Sequence, residues 1–342
     1  MALIPIKLTV PQKEIRDSGN SITYSVAFSP DGKHLLSAGQ SHGTRKWQVS
    51  DGREVLGLLG GDSKVYAIAF SRDHKWIVDG AEQGASVWDA NTHNKVVQVG
   101  TTVVLTVDFS PDSTKFATGT GSREATPDSC SLNIWDVATG ERLVGPLEHD
   151  GRVVGVKFSP NGNHIATVTQ KHIRLFNSRN GDRLIVIDNP VPEWSAITPI
   201  VWPFDGRLFA VSGGKIKSFD TSSGSQLAEW QIHDDRWDII SIALSANNRF
   251  IASSAGHSVS FWDTSTHTQL GSVLKDVDRI RSIALSPDGT HLATGGYGKT
   301  ITIWNLSDIL PESYLAIAVS TTFVYKFTFL YIYILVLLEP RM

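Results

Sequence analysis

The sequence predicts an all-β fold in which seven small antiparallel sheets are set radially about one axis. A segment of the form Val-Ala-Phe-Ser-Pro-Asp-Gly recurs along the chain, followed about nineteen residues later by a Trp-Asp-like pair. The apolar anchors of these segments are Phe28, Phe70, Phe109, Phe158, Trp202, Leu244 and Leu285, and the closing aromatics are Trp47, Trp88, Trp135, Phe176, Phe219, Trp262 and Trp304. Successive anchors lie 42, 39, 49, 44, 42 and 41 residues apart. A period near 40 made of short alternating segments belongs to an array of sheets, not to a stack of helices.

The first unit shows how each repeat folds. Thr23 to Phe28 alternates and ends at Ser29-Pro30-Asp31-Gly32, where Pro presets φ and Gly tolerates a positive one, so the tetrad is a turn. His34 to Ala38 is a second strand, Gly39 to Gly43 a loop, and Thr44 to Val49 a third strand holding Trp47. Asp51-Gly52 turns again into a fourth strand, Glu54 to Leu59. Four short antiparallel strands make one propeller blade. Five residues before each anchor stand Thr23, Val65, Val104, Val153, Ile197, Ile239 and Ile280, nearly all β-branched aliphatics, as a position buried between blades requires. The third-strand aromatics are expected to fill the wedges between sheets.

Composition narrows the function classes. The 342 residues are 41% hydrophobic and carry a net charge of −3 with 19% charged residues. There is no basic excess for nucleic acid and no acidic block for a disordered tail. Cys130 is the only cysteine, so no intrachain disulfide forms, which suits the cytoplasm or nucleus. Met1 to Val10 lacks a basic flank followed by an apolar core and does not read as a secretory signal. The sequon Asn305-Leu306-Ser307 sits at a strand end and reads as chance.

With the units laid out, the chain resembles the WD-repeat (WD40) family over about residues 11–306. The resemblance rests on repetition more than on any single motif. It implies a seven-bladed β-propeller, four antiparallel strands per blade, spanning residues 1–310. It also implies that an N-terminal strand closes the last blade; Gln12 to Arg16 aligns with that strand and should pair beside the one bearing Trp304. The family often joins a His before the first strand, a Ser or Thr, an Asp and the Trp in a buried hydrogen-bond tetrad. Here only His149 stands at the His position, nine residues before its anchor; the others hold Gly19, Gly61, Gly100, Glu193, Asp235 and Asp276. Six residues before the closing aromatics no Asp occurs. The expectation is a divergent propeller held mainly by packing and strand pairing.

Several motifs mimic chemistry. Ala293 to Thr300 fits a loose phosphate-loop expression, but the alternating strand Ile301-Thr302-Ile303-Trp304 follows where a helix is needed. The histidines show no metal-ligand spacing, Gly119-Thr120-Gly121-Ser122 lacks the rest of a dinucleotide motif, and no Gly-x-Ser-x-Gly elbow occurs. No catalytic residue, cofactor or metal is expected, and the chain is read as a non-enzyme. The Trp-Asp-x-Arg pattern of the family's ubiquitin-ligase receptors is approached only by Phe176-Asn177-Ser178-Arg179, read as a solvated turn.

In the family, residues flanking the start of each first strand line the face that most often grips peptides. Offsets of six and four before the anchors select Tyr24, Lys64, Tyr66, Arg152, Asp238, Arg279 and Arg281, among others. Because the last blade neighbours the first, Arg279, Arg281, Tyr24, Lys64 and Tyr66 are expected to form one basic-aromatic patch for an acidic or phosphorylated peptide. The alternative is an ordinary solvated rim. Trp194 and Trp237, in the loops leading into blades 5 and 6, form a second candidate; folding back over the channel rim is the competing reading. About seven extra residues within Gly119 to Ser131 lengthen one hairpin of blade 3, where insertions often reach a binding face.

After Asp308 the repeat stops, and residues 311–342 form a hydrophobic tail. Leu315 to Leu338 carries one charge, Lys326, and as a helix is long enough for a bilayer. Phe323, Tyr325, Phe327, Phe329, Tyr331 and Tyr333 alternate as a strand would. Their T-rich codons also fit translated non-coding sequence. Membrane anchor, packed element and gene-model artefact all stand as readings. The functional expectation is a monomeric, non-catalytic scaffold that binds peptides or protein subunits on its propeller face, without nucleic acid. The alternatives are a targeting module of a larger signalling or ubiquitin-ligase assembly, or a membrane-tethered adaptor.

Overall fold

The structure is a computed structural model, and it describes residues 12–16, 22–40, 43–60, 63–121, 130–190, 199–232, 239–298 and 300–315. Seven four-stranded antiparallel sheets account for almost all of them. Blade 1 comprises Thr23–Phe28, His34–Gly39, Thr44–Gln48 and Glu54–Leu59, matching the sequence reading to within a residue. The first strands touch those of both neighbouring blades in an unbroken cycle, so they line the axis.

Blade 7 is built from Ile280–Leu285, His291–Gly296 and Thr300–Asn305, and Lys13–Arg16 supplies its fourth strand. Lys13 pairs with Ile303 and Arg16 with Thr300, which places the chain's beginning against the strand bearing Trp304. Ile15 from this strap is buried with Ile301 and Ile303 of blade 7 and Val26, Leu35 and Trp47 of blade 1. Closure therefore both covers a strand edge and fills an apolar seam.

The seams are where the core lies. Each apolar cluster joins two adjacent blades, and the third-strand aromatics fill the wedges as expected. The first strands also clip to one another around the axis: Val26 N donates to Ser282 Oγ, Ile68 N to Ser25 Oγ, and Phe158 N to Asp108 Oδ2.

The repeated turn residues have a visible job. Ser29 Oγ donates to Asp31 Oδ1 at 2.6 Å and accepts from His34 N at 2.9 Å, while Asp31 Oδ1 accepts from Lys33 N. The same Ser–Asp (or Ser–Asn) network recurs at 71/73, 110/112, 159/161, 245/247 and 286/288. Blade 5 lacks it, because Pro203 follows the anchor Trp202 where the others have Ser. Without that N–H the bond from Ser29 N to His34 O has no counterpart in blade 5, and the described first strand there, Ile200–Val201, ends before the anchor. At the outer turn the chain takes positive φ at Gly52, and at His93 and His267 in the same place of blades 2 and 6.

The tetrad expectation needs revision. Trp47, Trp88, Trp135, Trp262 and Trp304 each donate their indole N–H to a second-strand side chain: Ser37, Asp79, Thr118, Ser253 and Thr294. In blade 7 Thr294 goes on to donate to Asp276 at 2.6 Å, so an aspartate at the His position completes a three-residue relay. Packing is supplemented by buried hydrogen bonds that offset counting for a single residue type did not reveal.

Beyond blade 7 the chain turns through Leu306–Asp308 and a short helix, Glu312–Leu315. Ile309 and Leu310 are buried against blades 6 and 7, and Tyr314 Oη donates to Asp263 Oδ2 at 2.6 Å. This segment lies at the turn end of the first strands, opposite the end that carries Tyr24 and Arg281. Among the described residues no helix is long and apolar enough to cross a membrane; the tail beyond residue 315 lies outside them.

Candidate functional site

Tyr24, Tyr66 and Arg281 hold the same register position, one residue into the first strands of blades 1, 2 and 7. In all three strands that residue is skipped by the pairing, a β-bulge between Thr23 and Ser25, Val65 and Ala67, and Ile280 and Ser282, and each side chain is left half-buried. The rings of Tyr24 and Tyr66 stack with centroids 5.5 Å apart and planes 11° apart. The Arg281 guanidinium sits 4.6 Å from the Tyr24 ring, on the far side of blade 1 in the cycle. Its Nη1 donates to Tyr297 Oη at 3.1 Å, and Arg279 lies 5.7 Å from the Tyr297 ring.

A continuous array therefore runs from Arg279 through Tyr297, Arg281 and Tyr24 to Tyr66. At its end Glu82 Oε1 accepts from Lys64 Nζ at 2.9 Å and from Tyr66 Oη at 3.4 Å. The Glu82 hydrogen bond and charge raise the Lys64 pKa, and burial followed by the Glu82 charge raises that of Tyr66. Lys64 is thus locally neutralised, and the positive character of the array concentrates at its arginine end. Arg281 makes no ion pair with a carboxylate among the described residues, and its Nε is buried without a hydrogen-bond partner.

Tyr297 and Glu82 were not selected from the sequence. Both stand one residue past a second strand, His291–Gly296 and Trp76–Ala81. Extending the offset count from first strands to second strands would have found them. Arg152 is not part of the array; it lies in blade 4 against Gly121, where an added Cβ would meet the Arg152 Cα at 2.8 Å. Trp194, Trp237 and Asp238, and residues 122–129 of the lengthened hairpin, lie outside the described residues. Among the described residues no group of three or more His, Cys, Asp or Glu side chains is placed to hold a metal ion.

The family model described as "WD domain, G-beta repeat" matches residues 10–48, 53–89, 94–136, 142–177, 224–263 and 268–305. The stretch between residues 177 and 224, which it does not match, holds the fourth strand of blade 4, Arg183–Asp188, and the first three described strands of blade 5. Similar curated proteins include the intraflagellar transport protein 122 homolog of Mus musculus, 22% identical over 307 residues, covering 85% of this chain and 24% of that protein. Protein FIZZY-RELATED 3 of Arabidopsis thaliana is 23% identical over 285 residues, covering 80% and 57%. Guanine nucleotide-binding protein subunit beta of Oryza sativa subsp. japonica is 24% identical over 317 residues, covering 73% and 82%. The chain spans about a quarter of the mouse relative's length and just over half of the Arabidopsis one's.

Proposed function

This chain belongs to the WD40 repeat family, and from that premise we propose that it is a non-catalytic interaction platform docking peptides or protein subunits on the face that carries Tyr24 and Arg281. The observation that carries the reading is the guanidinium of Arg281. It is held in place by Tyr24 and Tyr297, yet it has no carboxylate partner among the described residues. A preorganised guanidinium with open donors fits a carboxylate or phosphate, and Arg and Tyr are the side chains that dominate binding energy at interfaces. The guest is accordingly an acidic or phosphorylated segment, with the acidic group at the arginine end and apolar residues over Tyr24 and Tyr66. A cytosolic or nuclear setting accords with a sequence that holds one cysteine, Cys130.

A peptide array with acidic, phosphorylated and neutral versions of each sequence tests this. Captured acidic and phosphorylated peptides should lose at least tenfold in affinity when Arg281 becomes Ala. An array in which Arg281→Ala and Arg279→Ala leave every captured ligand unaffected would sink it. The long mouse relative, of which this chain matches a quarter, favours a second reading, a propeller module that works inside a larger assembly. Proximity labelling that recovers one stoichiometric complex, against many transient clients, separates the two.

A further inference from the structure

We propose that the seam between blades 2 and 3 holds a binding site for a small free carboxylate. The argument starts from three equivalent slots. In blade 4, nine residues before the anchor Phe158, His149 places Nε2 2.8 Å from Thr167 Oγ1. In blade 7, nine residues before Leu285, Asp276 Oδ2 accepts from Thr294 Oγ1 at 2.6 Å. In blade 3 the same place, nine residues before Phe109, is Gly100. No side chain enters, and a cavity of about 190 Å³ opens with Gly100 in its wall.

The cavity wall is polar and built. Thr118, the counterpart of Thr167 and Thr294, is 1% exposed and accepts the Trp135 indole N–H at 2.9 Å. A threonine hydroxyl that accepts still has a proton to donate, and among the described residues Thr118 Oγ1 is seen accepting from Trp135 and making no donated hydrogen bond. In blade 7 the corresponding proton goes to a carboxylate oxygen. The cavity also has a cation: Arg142 lines it, with its guanidinium 5.7 Å from the Trp135 ring and Nη1 3.4 Å from Asn133 Oδ1. Among the described residues Arg142 has no carboxylate partner. Thr101, Thr102 and Ser131 add hydroxyls.

A buried donor without an acceptor and a cation without an anion call for the same guest. It supplies in trans what Asp276 supplies in cis. One carboxylate oxygen takes the Thr118 proton and the charge is balanced by Arg142. The opening admits a small organic acid, and acetate and succinate are the probes.

The test uses the full chain at pH 7, titrated with sodium acetate and sodium succinate against sodium chloride at equal ionic strength. Melting temperature and tryptophan-indole NMR shifts are the readouts. Expected are a saturable upward shift in melting temperature and a saturable shift of one indole resonance. Arg142 is exposed, so Arg142→Gln should fold normally and bind at least tenfold more weakly, while Thr118→Val should abolish the response. The absence of a saturable response in the wild-type chain overturns the proposal. So does an unchanged affinity in Arg142→Gln, or capture of acidic peptides with no response to the free acids.

Discussion

Trp88 donates its indole N–H to the carboxylate of Asp79 at 2.7 Å, and both side chains are buried in the seam between blades 1 and 2. The equivalent acceptor is a hydroxyl in blades 1, 3, 6 and 7. Blade 2 alone uses an ionisable group, at 2% exposure. Burial pushes Asp79 up from 3.8 to about 6, against the hydrogen bonds from Trp88 and Ser86 that lower it.

That shift has a definite sign. A carboxyl whose folded pKa is raised keeps its proton longer in the folded chain, so stability falls as pH rises from about 4 to about 6 and is then level. The size is about 3 kcal/mol. Asp79→Ser keeps an acceptor for Trp88 and removes the titration. Urea denaturation between pH 4 and 7 should show that component gone in the variant; an unchanged slope refutes it.

His149 opposes Asp79 over nearly the same range. Burial lowers it from 6.5 to about 4, so the folded chain excludes its proton. The stability it contributes is fully present above 6.5 and is lost as pH falls towards 4, again by about 3 kcal/mol. The two contributions offset one another in the wild-type chain. His149→Gln should therefore leave a fold that weakens with rising pH, and Asp79→Ser one that weakens with falling pH. Parallel slopes in the two variants would contradict this account.

Lys46 is 9% exposed, and its Nζ makes one hydrogen bond, to Ala90 O at 3.1 Å. Burial holds its pKa below the usual lysine range. The same place before the closing aromatic is Val87, Ile134, Leu175 and Ile303 in other blades. Lys46→Ile should stabilise the chain by about 1–3 kcal/mol at pH 7. The gain should narrow as pH rises towards the ordinary lysine range, because the unfolded wild-type chain then binds more protons than the folded one. Denaturation at pH 7 and pH 10 checks both statements.

The strap and the terminal segment differ in consequence. Ile15 is 3% exposed in the closing seam, so Ile15→Ala should cost about 2–5 kcal/mol. Tyr314→Phe removes one hydrogen bond to Asp263 and should cost about 1 kcal/mol. If the two variants melt at the same temperature, the strap does not close the ring as described.

Much of this was readable from residues alone, for identifiable reasons. Anchor and aromatic positions are set by burial and strand alternation, which act within a few residues and repeat seven times. The pairing of Gln12 to Arg16 with the last unit was implied by the family resemblance, and the register Lys13–Ile303 to Arg16–Thr300 bears it out. Tyr24, Tyr66 and Arg281 were selected by offset because equivalent positions in a radial array are brought side by side. Tyr297 and Glu82 escaped because their role depends on which second-strand end meets which first strand. The Asp276–Thr294–Trp304 relay escaped because it links three separate parts of one blade.

The sequence by itself determined the number of units, their strand order and the seam residues, since these follow from local periodicity. Tertiary structure alone decided which polar groups find partners. It neutralised Lys64 with Glu82 and left Arg281 without a carboxylate. It also left Thr118 facing an open slot beside Gly100. The reason is one of range: apolar burial is non-directional and legible from pattern, whereas a hydrogen bond or ion pair forms only when register and blade spacing bring two atoms within about 3 Å.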